Sequence, residues 1–364
     1  MRYLLLAAIL SLSANAPAHA DKVDDYVTTE MSRQHIPGLS IVVLKNGKTV
    51  KMKGYGFANL ELDTRASPET VFQIGSMSKQ FIAAAILRLN QDGKVSLDDS
   101  VRKYLEDAPE NWQPITVRHL LTHTSGLIRE APDFQTITRP DIEAIRATYS
   151  TPLSFKPGEN FQYSNLGYSV LAEIITRTSQ QPWPQYIQER IFAPLAMNAT
   201  RTTTLSDLVP HRAGGYVWTG GKHQNSQSLP GPGVRPSGAF LSTVNDLAKW
   251  DAALYSDKVL SPQQRALMWT AVQLNDGSTR PYGFGWEVSK TGSHRRVHHA
   301  GTMLGFRSEI SRYIDDGLTV VVLANLFQSS PEKIAAGVAA FYNTDLQPQR
   351  LAMSLYATEL ADKL

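Results

Sequence analysis

Ser76-Met77-Ser78-Lys79 sets a hydroxyl and an amine three residues apart, just ahead of the apolar repeat Phe81, Ile82, Ala85, Ile86, Leu89. On a helix, positions i and i+3 share a face with Cβ atoms about 5–6 Å apart. The Lys79 amine can therefore approach the Ser76 hydroxyl. Burial lowers a lysine pKa toward values at which the neutral amine accepts a proton, the requirement for activating a serine nucleophile. At the helix start, unpaired N–H groups also favour developing negative charge. Four letters alone equally describe an N-cap serine and a solvated first-turn lysine.

Two further segments offer matching chemistry. Tyr163-Ser164-Asn165 stands immediately before a helical pattern. A tyrosine there can relay a proton, and an asparagine two residues on can donate an amide hydrogen bond to a substrate. The plainer reading is a loop tyrosine with a capping asparagine. His299-Ala300-Gly301 closes a strand-like run, and glycine there lets a substrate backbone come close. The N–H of Thr302 could join that of Ser76 in an oxyanion hole. Tyr282 and Trp286, in "YGFGW", either line the cleft or fill the core; Tyr282 is taken as a substrate contact.

S-x-x-K, Y-x-N and H-x-G in this order resemble the serine β-lactamase and penicillin-binding protein superfamily. The likeness is to its class C-related branch, with D-alanyl-D-alanine carboxypeptidases, D-aminopeptidases and esterases. It extends to "LLTHTSGL" (120–127), "PSGAFLSTVNDLAKW" (236–250) and "YGFGW" (282–286), covering nearly the whole chain after its leader. The resemblance implies that Ser76 forms the acyl-enzyme, that Lys79 and Tyr163 share general-base and relay duty, and that Asn165 contacts the acyl side. It also implies that His299 stands where the lactamases carry lysine. A histidine, with an ordinary pKa of about 6.5, is often neutral where lysine is a fixed cation, which argues against efficient β-lactam hydrolysis.

The elements that must position these groups lie at both chain ends. "GLSIVVLKNGKTVKMKGYGFA" (38–58) is a hairpin about Asn46-Gly47, since Asn-Gly supplies the positive φ values of a tight turn. Strand patterns return at 282–289, 295–301, 306–313 and 318–326, with a turn at Asp315-Asp316-Gly317 and a helix over 331–342. Short helices, including "LGYSVLAEIITRT" (166–178), occupy the middle, and the Gly/Pro/Ser-rich stretch 211–238 reads as a long surface loop. The fold class is therefore α/β in the α+β sense: one antiparallel sheet built from N- and C-terminal strands, flanked by helices, with a large helical insert. The divisions are 1–20, 21–75 with 271–345, 76–270, and a 346–364 tail.

Composition limits the rest. The 364 residues carry a net charge of +3 with both signs interspersed, so no basic stripe points to nucleic acid. Arg2, an apolar Leu4–Leu12 run and Ala18-His19-Ala20 make a secretory leader cleaved after Ala20, too short for the ~20 residues that span a bilayer. With no cysteine, disulfides, thiolate nucleophiles and cysteine-bound zinc are excluded. Strand alternation sends His298 and His299 to opposite faces, so His294, His298 and His299 do not make a metal site, and no cofactor is implied. His123 reads as a packing and turn residue. The sequence thus describes a periplasmic or secreted serine hydrolase taking a small-molecule or peptide substrate: D-amino-acid peptides or small esters. The alternatives are a β-lactamase proper, a non-catalytic penicillin-binding scaffold separable by covalent probes, and a metallohydrolase separable by chelators.

Overall fold

A computed structural model describes residues 22–131, 141–204, 206–226 and 236–347. The leader, most of the tail and part of the 211–238 stretch lie outside the described residues. Seven strands form one antiparallel sheet: β1 (Gly38–Lys45), β2 (Lys48–Asn59), β3 (Thr64–Arg65), β4 (Glu287–Thr291), β5 (His294–Met303), β6 (Phe306–Tyr313) and β7 (Leu318–Ala324). Their order is β4-β5-β6-β7-β1-β2-β3, so the two chain ends meet where Ile41 pairs with Val322. Every residue of β7 is buried, as a central strand covered on both faces requires, and its Val-rich run suits that position. Asn46 and Gly47 both take positive φ, 49° and 72°, as the tight hairpin needs.

The covering helices follow from which side chains each face presents. Leu39, Ile41, Val43, Val320 and Val322 pack with α1 (Lys22–Gln34) and α5 (Pro331–Tyr342) through Val27, Ile334 and Val338. On the opposite face, Val42, Leu44, Val321 and Leu323 join the core containing α2 (Lys79–Gln91), α3 (Asn165–Ser179) and α4 (Val244–Ala253). A buried ion pair ties α4 to the sheet: Arg312 Nε donates to Asp251 Oδ1 at 2.6 Å, and the Thr319 hydroxyl donates to the same oxygen at 2.8 Å. No helix among the described residues is long and apolar enough to cross a membrane.

Two segments depart from the sequence reading. The 282–289 stretch is a strand only from Glu287, because two glycines turn the chain: Gly283 N–H donates to the Trp286 carbonyl and Gly285 takes a φ of 75°. Within 211–238 there is a hairpin, Tyr216–Thr219 with Lys222–Asn225, rather than open loop. Tyr216 anchors it, being 2% exposed with its hydroxyl accepting from Leu60 N–H at 2.8 Å. The signal was present: an apolar Tyr-Val-Trp run before Gly220-Gly221, whose positive φ values make the turn.

Candidate active site

The chain enters α2 through a 3-10 turn, Gly75–Ser78. This turn is wedged between the sheet and the helices. On the sheet side, a Cβ on Gly75 would lie 2.7 Å from the Thr302 nitrogen, and one on Gly301 would lie 1.9 Å from the Ile74 carbonyl oxygen. Ser308 Oγ donates to that same carbonyl at 2.8 Å. Glycine is required at both places because backbone meets backbone. At Gly301 the missing side chain thus admits the Ile74 carbonyl of this chain. On the helical side, Ser78 Oγ accepts from Phe240 N–H at 3.1 Å.

Ser76 is half-buried and caps nothing, since neither the 3-10 turn nor α2 has a side-chain cap. Nor is Lys79 solvated; it is 0% exposed. Its Nζ lies 3.2 Å from Ser76 Oγ, 2.6 Å from Asn165 Oδ1 and 3.0 Å from the Ser237 carbonyl oxygen. Burial drives the Lys79 pKa well down, the Glu130 carboxylate pulls it back up, and Arg129 lowers it further. In the neutral amine, the amide and carbonyl oxygens take the two N–H donors. The lone pair is then left for the Ser76 O–H.

The Tyr163 ring centroid lies 4.7 Å from Lys79 Nζ, and its phenol interacts with Ser76. Burial pushes the phenol far above its ordinary range, with the Ser76 interaction opposing, so the group is held protonated. Asn165 is the first residue of α3, and the cap is Ser164, whose Oγ accepts from Gly167 N–H at 3.0 Å. The Asn165 side chain is therefore free for the site, and it is fixed at both ends: Oδ1 accepts from Lys79, while Nδ2 donates to Glu130 Oε1.

His299 faces the same cluster from β5. Its Nδ1 lies 2.6 Å from the Ala300 carbonyl, so it carries the proton there, and Nε2 accepts from the Tyr282 hydroxyl at 3.0 Å. Burial above all brings its pKa down to about 3. His299 is neutral at physiological pH. Tyr282, 1% exposed, is core that reaches the site through His299 and through its ring contact with Tyr163. His298 points the other way, toward Glu287 and Glu309, and His294 pairs with Asp316 at 3.0 Å. The last pair between β4 and β5 is Glu287 with His298, so β5 has no β4 partner from His299 to Met303 among the described residues.

Glu130, Arg129 and the Ser237 carbonyl belong to this site and carry no local sequence signal. They reach it across long separations: Asn165 and Glu130 stand 35 residues apart, and Lys79 and Ser237 stand 158 apart.

Comparison with known proteins places the chain in a family. Protein flp of Staphylococcus aureus strain MW2 is 31% identical over 314 residues, 84% of this chain and 63% of that protein. The chain thus spans under two thirds of that relative's length. Penicillin-binding protein 4* of Bacillus subtilis strain 168 is 30% identical over 312 residues, 79% of this chain and 67% of that protein. Among solved structures, the octameric penicillin-binding protein homologue of Pyrococcus abyssi superposes with a TM-score of 0.80 at 28% identity, covering 94% of this chain and 81% of that one. The D-amino acid amidase of Ochrobactrum anthropi SV3 shares the fold, with a TM-score of 0.76 at 24% identity over 88% of this chain and 98% of that one. The profile of the beta-lactamase family matches residues 23–343, and the chain belongs to that family of serine hydrolases and penicillin-binding proteins.

Proposed function

We propose that the protein is an exported hydrolase that works through an acyl-enzyme on Ser76 and cleaves D-amino-acid peptides or small esters. The observation that carries this reading is the Lys79 amine: fully buried, bound to two obligate acceptors, and 3.2 Å from Ser76 Oγ. Ser76 Oγ attacks the substrate carbonyl while its proton passes to the Lys79 amine. The protonated Tyr163 phenol then hands a proton to the leaving group and is refilled from Lys79. The N–H groups of Ser76 and Thr302 hold the tetrahedral oxyanion. Water attacks the ester in the second half, with its proton returning through the same pair.

The preference against β-lactams rests on His299. A neutral imidazole, bonded to Tyr282 and Ala300, offers no fixed cation for a β-lactam carboxylate. Similarity to a penicillin-binding protein supports slow acylation by penicillins as a side reaction. The leader, with cleavage after Ala20, makes the working compartment periplasmic or extracellular.

A panel of p-nitrophenyl esters, D-alanyl peptides and a chromogenic cephalosporin tests the reading. Turnover of the first two, abolished in Ser76→Ala and lowered about 10²–10⁴-fold in Lys79→Met, is the expected result. Faster turnover of the cephalosporin, or unchanged rates in Lys79→Met, would overturn it.

A further inference from the structure

We propose that His123 is a positioning residue of this site, clamping the segment 162–164 from behind and so orienting the Tyr163 phenol. The inference rests on the proposed role of Tyr163 and assigns "LLTHTSGL" a task beyond packing. His123 is 1% exposed and adopts a φ of 59°, a left-handed conformation that histidine tolerates better than most side chains. That conformation lets one residue hold both amides flanking Tyr163. Its carbonyl accepts from Gln162 N–H at 2.9 Å, and its ring Nδ1 accepts from Ser164 N–H at 3.1 Å. The ring itself lies against Tyr163, with centroids 4.3 Å apart and planes tilted by 36°, and against Tyr282 at 4.6 Å and Tyr168 at 5.1 Å.

The protonation state follows from the bonds. An Nδ1 that accepts carries no proton, so the neutral ring is protonated on Nε2. Among the described residues Nε2 has no hydrogen-bond partner, so packing alone does not explain a histidine here; a leucine or phenylalanine would fill the space without burying an unpaired N–H. What an apolar residue lacks is the acceptor for Ser164. Burial, with Lys79, His299 and Arg129 nearby, keeps the ring neutral and so keeps that acceptor available.

The test compares His123→Asn with His123→Gly. Both tolerate positive φ, but only asparagine supplies an acceptor close to Nδ1. His123→Gly is expected to lose about tenfold or more in kcat with KM held within about threefold, because Tyr163 is misplaced while the substrate site is intact. His123→Asn should recover most of that loss. Equal kcat in wild type and His123→Gly, or a His123→Asn no better than His123→Gly at unchanged melting temperature, would overturn the inference. A second measurement is independent of activity and of variant folding. In 15N-histidine spectra of the wild-type protein, the His123 ring should be the Nε2–H tautomer; an Nδ1–H tautomer would sink the clamp. Absence of turnover in the wild type would instead refute the proposed hydrolysis, with the tautomer still deciding the clamp.

Discussion

Acid should destabilise this protein through His299, and the size of the effect can be worked from its burial. The imidazole is 3% exposed, bonded to Ala300 and Tyr282, and held neutral with a pKa of about 3. In the unfolded chain its pKa is about 6.5. Between those values the unfolded state binds a proton that the folded state refuses, so stability falls as pH falls through this window. Each pH unit below 6.5 costs about 1.4 kcal/mol, so pH 5 costs about 2 kcal/mol from this residue. His123, also buried and depressed, adds a slope of the same sign. Urea denaturation of the wild type and His299→Gln at pH 7, 6 and 5 isolates the His299 share. The variant should lose about 2 kcal/mol less than the wild type between pH 7 and pH 5. Parallel losses in the two proteins would refute the argument, because His299 would then titrate alike folded and unfolded.

Two other substitutions probe how the site is held. Gly301→Ala places a Cβ where the Ile74 carbonyl and Ser308 Oγ already stand, and should lower stability by about 1–3 kcal/mol and reduce turnover together, read by thermal denaturation and steady-state kinetics. Arg312→Met strands Asp251 without its cation in the core and should cost about 3–5 kcal/mol in urea titrations while leaving KM unchanged.

The sheet was legible because its strands are local patterns with punctuated ends. Phe306–Tyr313 and α5 match their sequence bounds, and Asn46-Gly47 marks its own turn. Ser76, Lys79, Tyr163 and His299, which the fold brings together, stood out as motifs because each motif keeps its residues adjacent. What sets their protonation was not readable. Glu130 and Ser237 are brought to Lys79 and Asn165 by tertiary packing, with no spacing to announce them. Gly301 shows the same limit: the sequence marks a place where backbone comes close, but not that the Ile74 carbonyl stands there. At 282–286 the aromatic content outweighed two glycines, which in the folded chain decide the matter by turning it.

The claim beneath all of this is that the Ser76 hydroxyl is activated by a buried neutral amine and a protonated phenol. Treating the protein with a fluorophosphonate and locating the adduct by peptide mass spectrometry tests it most directly. A single adduct on Ser76, formed far more slowly in Lys79→Met and in Tyr163→Phe, is the predicted result. An adduct on another serine, or labelling of Ser76 at the same rate in all three proteins, would contradict it.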